Sequence, residues 1–136
     1  MNKLIVAFVL LLFSCNSKQR IRAHENLTIE CSDFLRVTFE DLSKQPDYYD
    51  RKKVRISGYF YYGFEEFAIY ESPKSKVEAI GVWIDFHKEL GLYEDEGYKE
   101  LAEKKLEVVG VFSANEHGHL SQYIGELNVL CIIDSK

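Results

Sequence analysis

Proline and glycine are scarce in this chain, at 2 and 8 of 136 residues, while 46% of it is hydrophobic and 14% aromatic. That balance excludes a disordered, collagen-like or low-complexity polypeptide. Long hydrophobic runs are almost absent. The run Leu4 to Phe13 carries no charge, but as a helix it rises only ~15 Å, about half the hydrocarbon thickness of a bilayer. It is too short for a permanent membrane span. No serine stands in a Gly-x-Ser-x-Gly setting, no phosphate loop or dinucleotide fingerprint occurs, and no two cysteines form a Cys-x-x-Cys pair. The sequence marks of a serine hydrolase, a nucleotide-binding loop and a dithiol redox site are therefore missing.

What is present divides unevenly. The first 14 residues hold 11 hydrophobic side chains and one charge, Lys3. An early basic residue followed by a short apolar run has the make-up of a secretory signal. From Cys15 onward 16 basic residues face 22 acidic ones, a net charge of −6. The run closes on Leu12-Phe13-Ser14-Cys15, which resembles a bacterial lipobox: Leu three places before the Cys and a small residue directly before it. The resemblance implies that Cys15 is lipidated at sulfur and becomes the mature N-terminus. The alternative is an ordinary secretory signal in which Cys15 is incidental.

Lipidation of Cys15 would leave Cys31 and Cys131. In an oxidising compartment an even remainder points to a disulfide. It would close a loop on the order of 100 residues, for which the chain-entropy model gives up to ~4–5 kcal/mol. Two small buried thiols are the other reading.

Residues 16–28 are mostly polar, with Lys18, Arg20 and Arg22. They read as a solvated tether whose charges could also lie against anionic headgroups. A short helix is predicted near Thr38, which can cap it with Asp41 three places on, and Pro46 stops it. Five strands follow. Val54, Ile56, Gly58, Phe60 and Tyr62 form the apolar set of the first. Phe67–Tyr70 is the second, and Ile80 to Phe86 the third. Tyr98 to Lys105 favours a helix. Leu106, Val108, Gly110 and Phe112 mark the fourth strand, and Asn115 to His119 is turn composition. The fifth lies within Ile124–Ile133, with Leu127, Val129 and Cys131 on one face. Gly58 and Gly110 sit mid-strand in two similar segments, which predicts a bulge or bend at each.

The order strand, strand, strand, helix, strand, strand resembles the OB-fold, a five-stranded barrel with its helix between strands three and four. The wording of residues 46–59, of Ala68-Ile69-Tyr70-Glu71-Ser72 and of Val82-Trp83-Ile84-Asp85 is also similar to small bacterial OB-fold-like secreted lipoproteins of unsettled function. Asp50 stands where that family often has Gly. The expectation is a mainly β protein: a signal peptide at 1–14, a lipidated Cys and tether at 15–36, and an OB-like barrel at 37–136 preceded by a short helix. A small β-sandwich is the alternative architecture.

Chemistry-bearing residues are few. His117-Gly118-His119 is the one close histidine pair, and two imidazoles on an extended segment can share a side. A zinc site needs three or four ligands, so an exposed turn is the plainer reading. Glu65-Glu66 and Glu94-Asp95-Glu96 are adjacent carboxylates without the separated environments that acid–base catalysis requires. Arg51, Lys52, Lys53 and Arg55 form a basic cluster, but the net charge opposes phosphate binding. If the OB resemblance holds, its groove would involve Tyr61, Phe64, Trp83, Asp85, His117 and His119. The bland alternative places Trp83 and the tyrosines under the N-terminal segment. The expectation is a membrane-anchored binding or scaffolding module of the cell envelope, meeting an envelope protein or a glycan. No catalysis, metal, cofactor or nucleic acid is expected. The rival readings are a metal-binding or hydrolytic enzyme using the 117–119 turn and an oligonucleotide-binding domain.

Overall fold

The computed structural model describes residues 20–22, 31–73, 79–87, 90 and 94–134. The leader and Cys15 lie outside the described residues. The elements are β1 (Arg20–Arg22), β2 (Leu35–Arg36), α1 (Phe39–Lys44), α2 (Pro46–Tyr49), β3 (Lys53–Gly63), β4 (Glu66–Tyr70), β5 (Gly81–Phe86), α3 (Glu94–Leu101), β6 (Lys105–Ser113), a 3-10 turn (His119–Ser121) and β7 (Glu126–Asp134). The protein is mainly β, and its helices are few and short.

Local rules account for the helices. Thr38 accepts a hydrogen bond from the Asp41 amide on its side-chain oxygen, and Asp41 accepts from the Thr38 amide at 2.8 Å. This capping box satisfies two orphan donors at the start of α1. Pro46 occupies the first turn of α2, where its missing N–H costs nothing. The expected helix at 98–105 is displaced: α3 covers 94–101. Glu103 takes a left-handed φ of 63°, which ends the helix and frees Lys105 to begin β6.

The strands join in one mixed sheet. β3 pairs antiparallel with β4 and β6, β4 with β5, and β6 with β7, while β5 and β7 run parallel. The pairings thus return on themselves through β3–β4–β5–β7–β6. With two further strands in the sheet, the ring is not a clean five-stranded barrel. β4 pairs with β3 only from Tyr59 onward, and β2 pairs in parallel with Val54 and Arg55. β5 pairs with β7 only as far as Val129, and β1 covers Ile132 to Asp134. Part of the segment read as a tether therefore closes two half-edges that would otherwise present bare backbone groups.

Alternation sorts the side chains. Val54, Ile56 and Phe60 from β3 meet Ile69, Val82, Ile84, Phe86, Val108, Phe112, Leu127, Val129 and Ile132 in the main core, with Phe39, Leu42 and Leu101 from the helices. Each such side chain, fully buried, contributes roughly 1.5–3 kcal/mol. Phe67 joins Phe60 and Phe86 edge-on, with ring centroids 5.4 and 5.5 Å away.

The fifth long strand departs from the expected face. Val109 pairs with Cys131, but Gly110 pairs with Val129, so Leu130 is an extra residue. This bulge reverses the alternation. Leu127 and Val129 point into the main core, whereas Cys131 packs with Val109 and Ile133 in a second, smaller cluster on the other side. Gly110 is needed there, because a Cβ would collide with the Asn128 carbonyl oxygen. No such shift accompanies Gly58, whose pairing with β6 is continuous. The bulge turns Cys131 towards the N-terminal segment. Cys31 and Cys131 are joined in a disulfide, with Cα atoms 5.9 Å apart across 100 residues.

Candidate functional site

The outer face of β3, β4 and β5 carries the aromatic residues opposite the core. Tyr61 pairs with Ala68, and Ala68 with Trp83; one step along, Tyr59 pairs with Tyr70 and Tyr70 with Gly81. Ala68 is buried although it points away from the main core's alternating set. Among the described residues, the chain between β6 and β7 covers this face.

That connection is held tightly. The Trp83 amide donates to the Gly125 carbonyl, and the Ile124 amide to that of Gly81. His117 Nδ1 donates to the Tyr123 carbonyl at 2.9 Å. Tyr123 lies against Trp83, ring centroids 5.2 Å apart, and against Tyr70 at 6.3 Å. Gly118 has φ 62°, and a Cβ there would come within 2.6 Å of the Trp83 ring. Glycine is required for both reasons. The indole is roofed by backbone.

At the margin of this cover a cleft of about 340 Å³ opens, lined by Phe64, Glu65, Glu66, Tyr70, His119, Leu120, Gln122 and Tyr123. Two turns form its rims. The β3–β4 turn supplies Phe64 and Glu65; the 3-10 turn supplies His119 and Leu120. His119 Nε2 lies 3.2 Å from a Glu65 carboxylate oxygen and ties the rims together. In the floor Tyr70 donates to Glu66 at 2.8 Å, and its hydroxyl lies 3.4 Å from that of Tyr123. Burial first, then these hydrogen bonds, raise the Tyr70 pKa above the ordinary tyrosine range, so the phenol stays protonated.

Glu65, Glu66, Tyr70 and His119 are thus each engaged with a neighbouring side chain. Two apolar residues of the cleft stand open to solvent. Phe64 is 92% exposed and Leu120 71% exposed. Three non-glycine residues of the rims adopt left-handed backbone: Glu65 at φ 57°, Leu120 at 54° and Ser121 at 54°. For a residue such as Leu that conformation costs ~1–2 kcal/mol.

The six residues expected to share a groove are distributed as follows. Phe64 and His119 line the cleft together. Trp83 lies half-buried beneath Gly118, and Tyr61 rests edge-on against Tyr70 at 5.6 Å. Asp85 is exposed on β5, where its charge acts on Glu126. His117 serves the loop's own backbone. The two histidines therefore have different partners, and among the described residues no group of three or more His, Cys, Asp or Glu side chains is placed to hold a metal ion. Reasoning from the sequence missed Tyr70, Tyr123, Glu65, Glu66, Leu120 and Gln122 as cleft residues. Gly118 and Gly125 flanking Leu120–Ile124 were the available signal that this stretch lies close against something.

Other groups serve structure. Burial, then the nearby charge of Glu116 and of Asp85, raises the Glu126 pKa. Glu107 is held low, first by its hydrogen bond from Arg55 and then by the charge of Arg36. The Phe34 ring lies under both guanidinium groups, at 5.2 and 5.7 Å. The basic cluster is occupied in part as well: Lys52 sits 3.3 Å above the Tyr48 ring, and Lys53 donates to the Ser32 carbonyl. Asp50 has φ −54° and accepts the Ala114 amide at 2.9 Å. The left-handed residue of that turn is Arg51, at φ 61°.

Among the described residues no helix is long and apolar enough to cross a membrane. Comparison with protein-family models, with curated proteins and with solved structures finds no match.

Proposed function

We propose that the protein is a lipid-anchored, extracytoplasmic module of the bacterial cell envelope that binds or scaffolds rather than catalyses, built on an OB-like barrel. The observation that carries this reading is the Cys31–Cys131 bond. Disulfides persist in oxidising compartments, which agrees with an export signal ending on a lipobox-like Leu12-Phe13-Ser14-Cys15. The order β3–β4–β5–β7–β6, with β5 and β7 parallel and α3 between β5 and β6, supports the OB-like architecture. Binding is favoured over catalysis by the cleft: His119, Glu65, Glu66 and Tyr70 are each engaged with a neighbour, while Phe64 and Leu120 are turned to solvent.

Metabolic labelling of bacterial cells expressing the full chain with a clickable fatty acid tests the anchor. Label is expected on the wild-type chain and absent from Cys15→Ser. Equal labelling of the two chains overturns the anchor.

A further inference from the structure

We propose that Cys31 is the sulfur through which the Cys31–Cys131 bond is made and opened, by exchange with a reactive disulfide or thiol borne by a small molecule or by a protein. The inference goes beyond the binding reading above and depends on neither the anchor nor the cleft. In thiol–disulfide exchange a thiolate attacks one sulfur of a disulfide, and access helps decide which sulfur is attacked. The two sulfurs here differ in access. Cys131 is fully buried: it lies within β7, pairs with Val109, and packs with Val109 and Ile133 in the smaller cluster. Cys31 stands in the turn before β2, is only partly buried, and is followed by the exposed Ser32 and Asp33. Asp33 takes a left-handed φ of 56°, which turns the chain there. An incoming sulfur can meet Cys31 from outside, whereas Cys131 is closed off by packing.

The chemistry then has a fixed order. The Cys31 thiolate attacks a donor disulfide R–S–S–R, expels one thiolate, and leaves the mixed disulfide Cys31–S–S–R. Cys131 next attacks the Cys31 sulfur and expels the second thiolate. The two protons of the cysteine thiols end on two R–SH, and the two electrons pass to the donor. Opening runs the same steps backwards: a thiolate attacks Cys31 and expels Cys131 as a thiolate among Val109 and Ile133, where an unpaired charge is costly. The bond therefore forms readily and resists opening while the protein is folded. The rival route, attack on Cys131, has the easier leaving group but lacks an approach, because Cys131 has 0% exposure. The exchange partner must come to the end of β7 that β1 covers.

The test uses the full chain with Cys15→Ser, which removes the third thiol whatever its fate, in neutral detergent. Oxidised, folded protein is incubated with excess reduced glutathione, quenched in acid and digested with pepsin. Mass spectrometry then counts glutathione on the peptides bearing Cys31 and Cys131. Glutathione is expected on Cys31 at least tenfold more often, with the ratio falling towards parity in urea that unfolds the chain. This arm leaves the Cys31–Cys131 pair intact, so it does not depend on whether a variant of the pair folds. A second arm adds Cys131→Ala, its fold checked by thermal melting. It is offered glutathione disulfide or a single-thiol protein carrying glutathione in mixed disulfide. The folded chain should become linked through Cys31, and the faster donor distinguishes a small from a protein source. Equal or greater labelling of Cys131 in the folded protein, a ratio unchanged by urea, or a Cys131→Ala chain that reacts only after unfolding overturns the proposal.

Discussion

The two ends of β7 differ in what surrounds them. At its C-terminal end, β1 pairs with Ile132 to Asp134, the disulfide joins Cys131 to the N-terminal segment, and Val109, Cys131 and Ile133 form their own small core. Nearby Arg36 and Arg55 both pair with Glu107, and both guanidinium groups lie over Phe34. Before its N-terminal end lies the loop that roofs Trp83, with left-handed residues and the exposed Leu120, which faces Phe64 of the β3–β4 turn across the cleft. At one end Cys131, Val109 and Ile133 are buried by partners within the chain, with Leu35 left 43% exposed. The other carries the exposed Phe64 and Leu120 and left-handed backbone at Glu65, Leu120 and Ser121. That contrast separates residues packed for stability from those left open to solvent.

The contrast is sharpest for two phenylalanines on the same hairpin. Phe60→Ala, which empties a fully buried position, should cost about 3–5 kcal/mol in urea-induced unfolding. Phe64→Ala should stay within about 0.5 kcal/mol. A comparable loss from both would erase the distinction between the ends. Cys31→Ser, leaving Cys131 as a buried thiol, should remove about 2–4 kcal/mol, read as a lowered denaturation midpoint relative to the oxidised wild type. No change would mean that the N-terminal segment is not stapled.

Acid should act oppositely on the two ends. Glu107 has a lowered pKa, so its contribution is present above the unfolded value and is lost as pH falls through the folded one. Glu107→Gln should therefore cost about 1–3 kcal/mol at pH 7, and less as pH falls through the folded value. Glu126 has a raised pKa, so its ionisation opposes folding as pH rises through the folded value. Glu126→Gln should stabilise by a few tenths to about 1 kcal/mol at pH 7, a gain that fades towards pH 4. Denaturant midpoints at the two pH values check both signs. The smallest effect is at Leu120. Replacement by Gly relieves the left-handed backbone without emptying a packed site and should raise stability by up to about 1 kcal/mol. A fall in Tm would show that Leu120 is packed, which would break the contrast between the ends.

The legible parts of the fold were those governed by local rules. The alternation of Val54 to Tyr62, the Thr38–Asp41 capping box and the stop at Pro46 all have direct counterparts. The β7 bulge was hidden because Leu127 to Ile133 is apolar at all but Asn128, so period alone could not assign faces. Placing Cys131 with Val129 followed from that ambiguity. α3 was read late because its polar stretch offers no apolar stripe to set its start. The strand at 20–22 was masked by basic composition, since edge pairing requires backbone rather than hydrophobicity. At the cleft, Phe64 and His119 were accessible through the OB resemblance. Leu120, Gln122 and Tyr123 were not, because their position depends on how the loop folds back across β5.

β1 also sets a mechanical limit. Its first residue, Arg20, pairs with Asp134, the last residue of β7. With Cys15 as the lipid-bearing residue, five peptide steps separate membrane from sheet, a contour of at most about 17 Å. A domain of this size has a radius of gyration near 13 Å, so a lipid on Cys15 would leave too short a leash for free tumbling above a bilayer. The Asp134 end would be held low, while β7 carries its other end roughly 26 Å away along the strand. The protein would stand as a post: fixed at its stapled base, with its cleft lifted outward into the aqueous space.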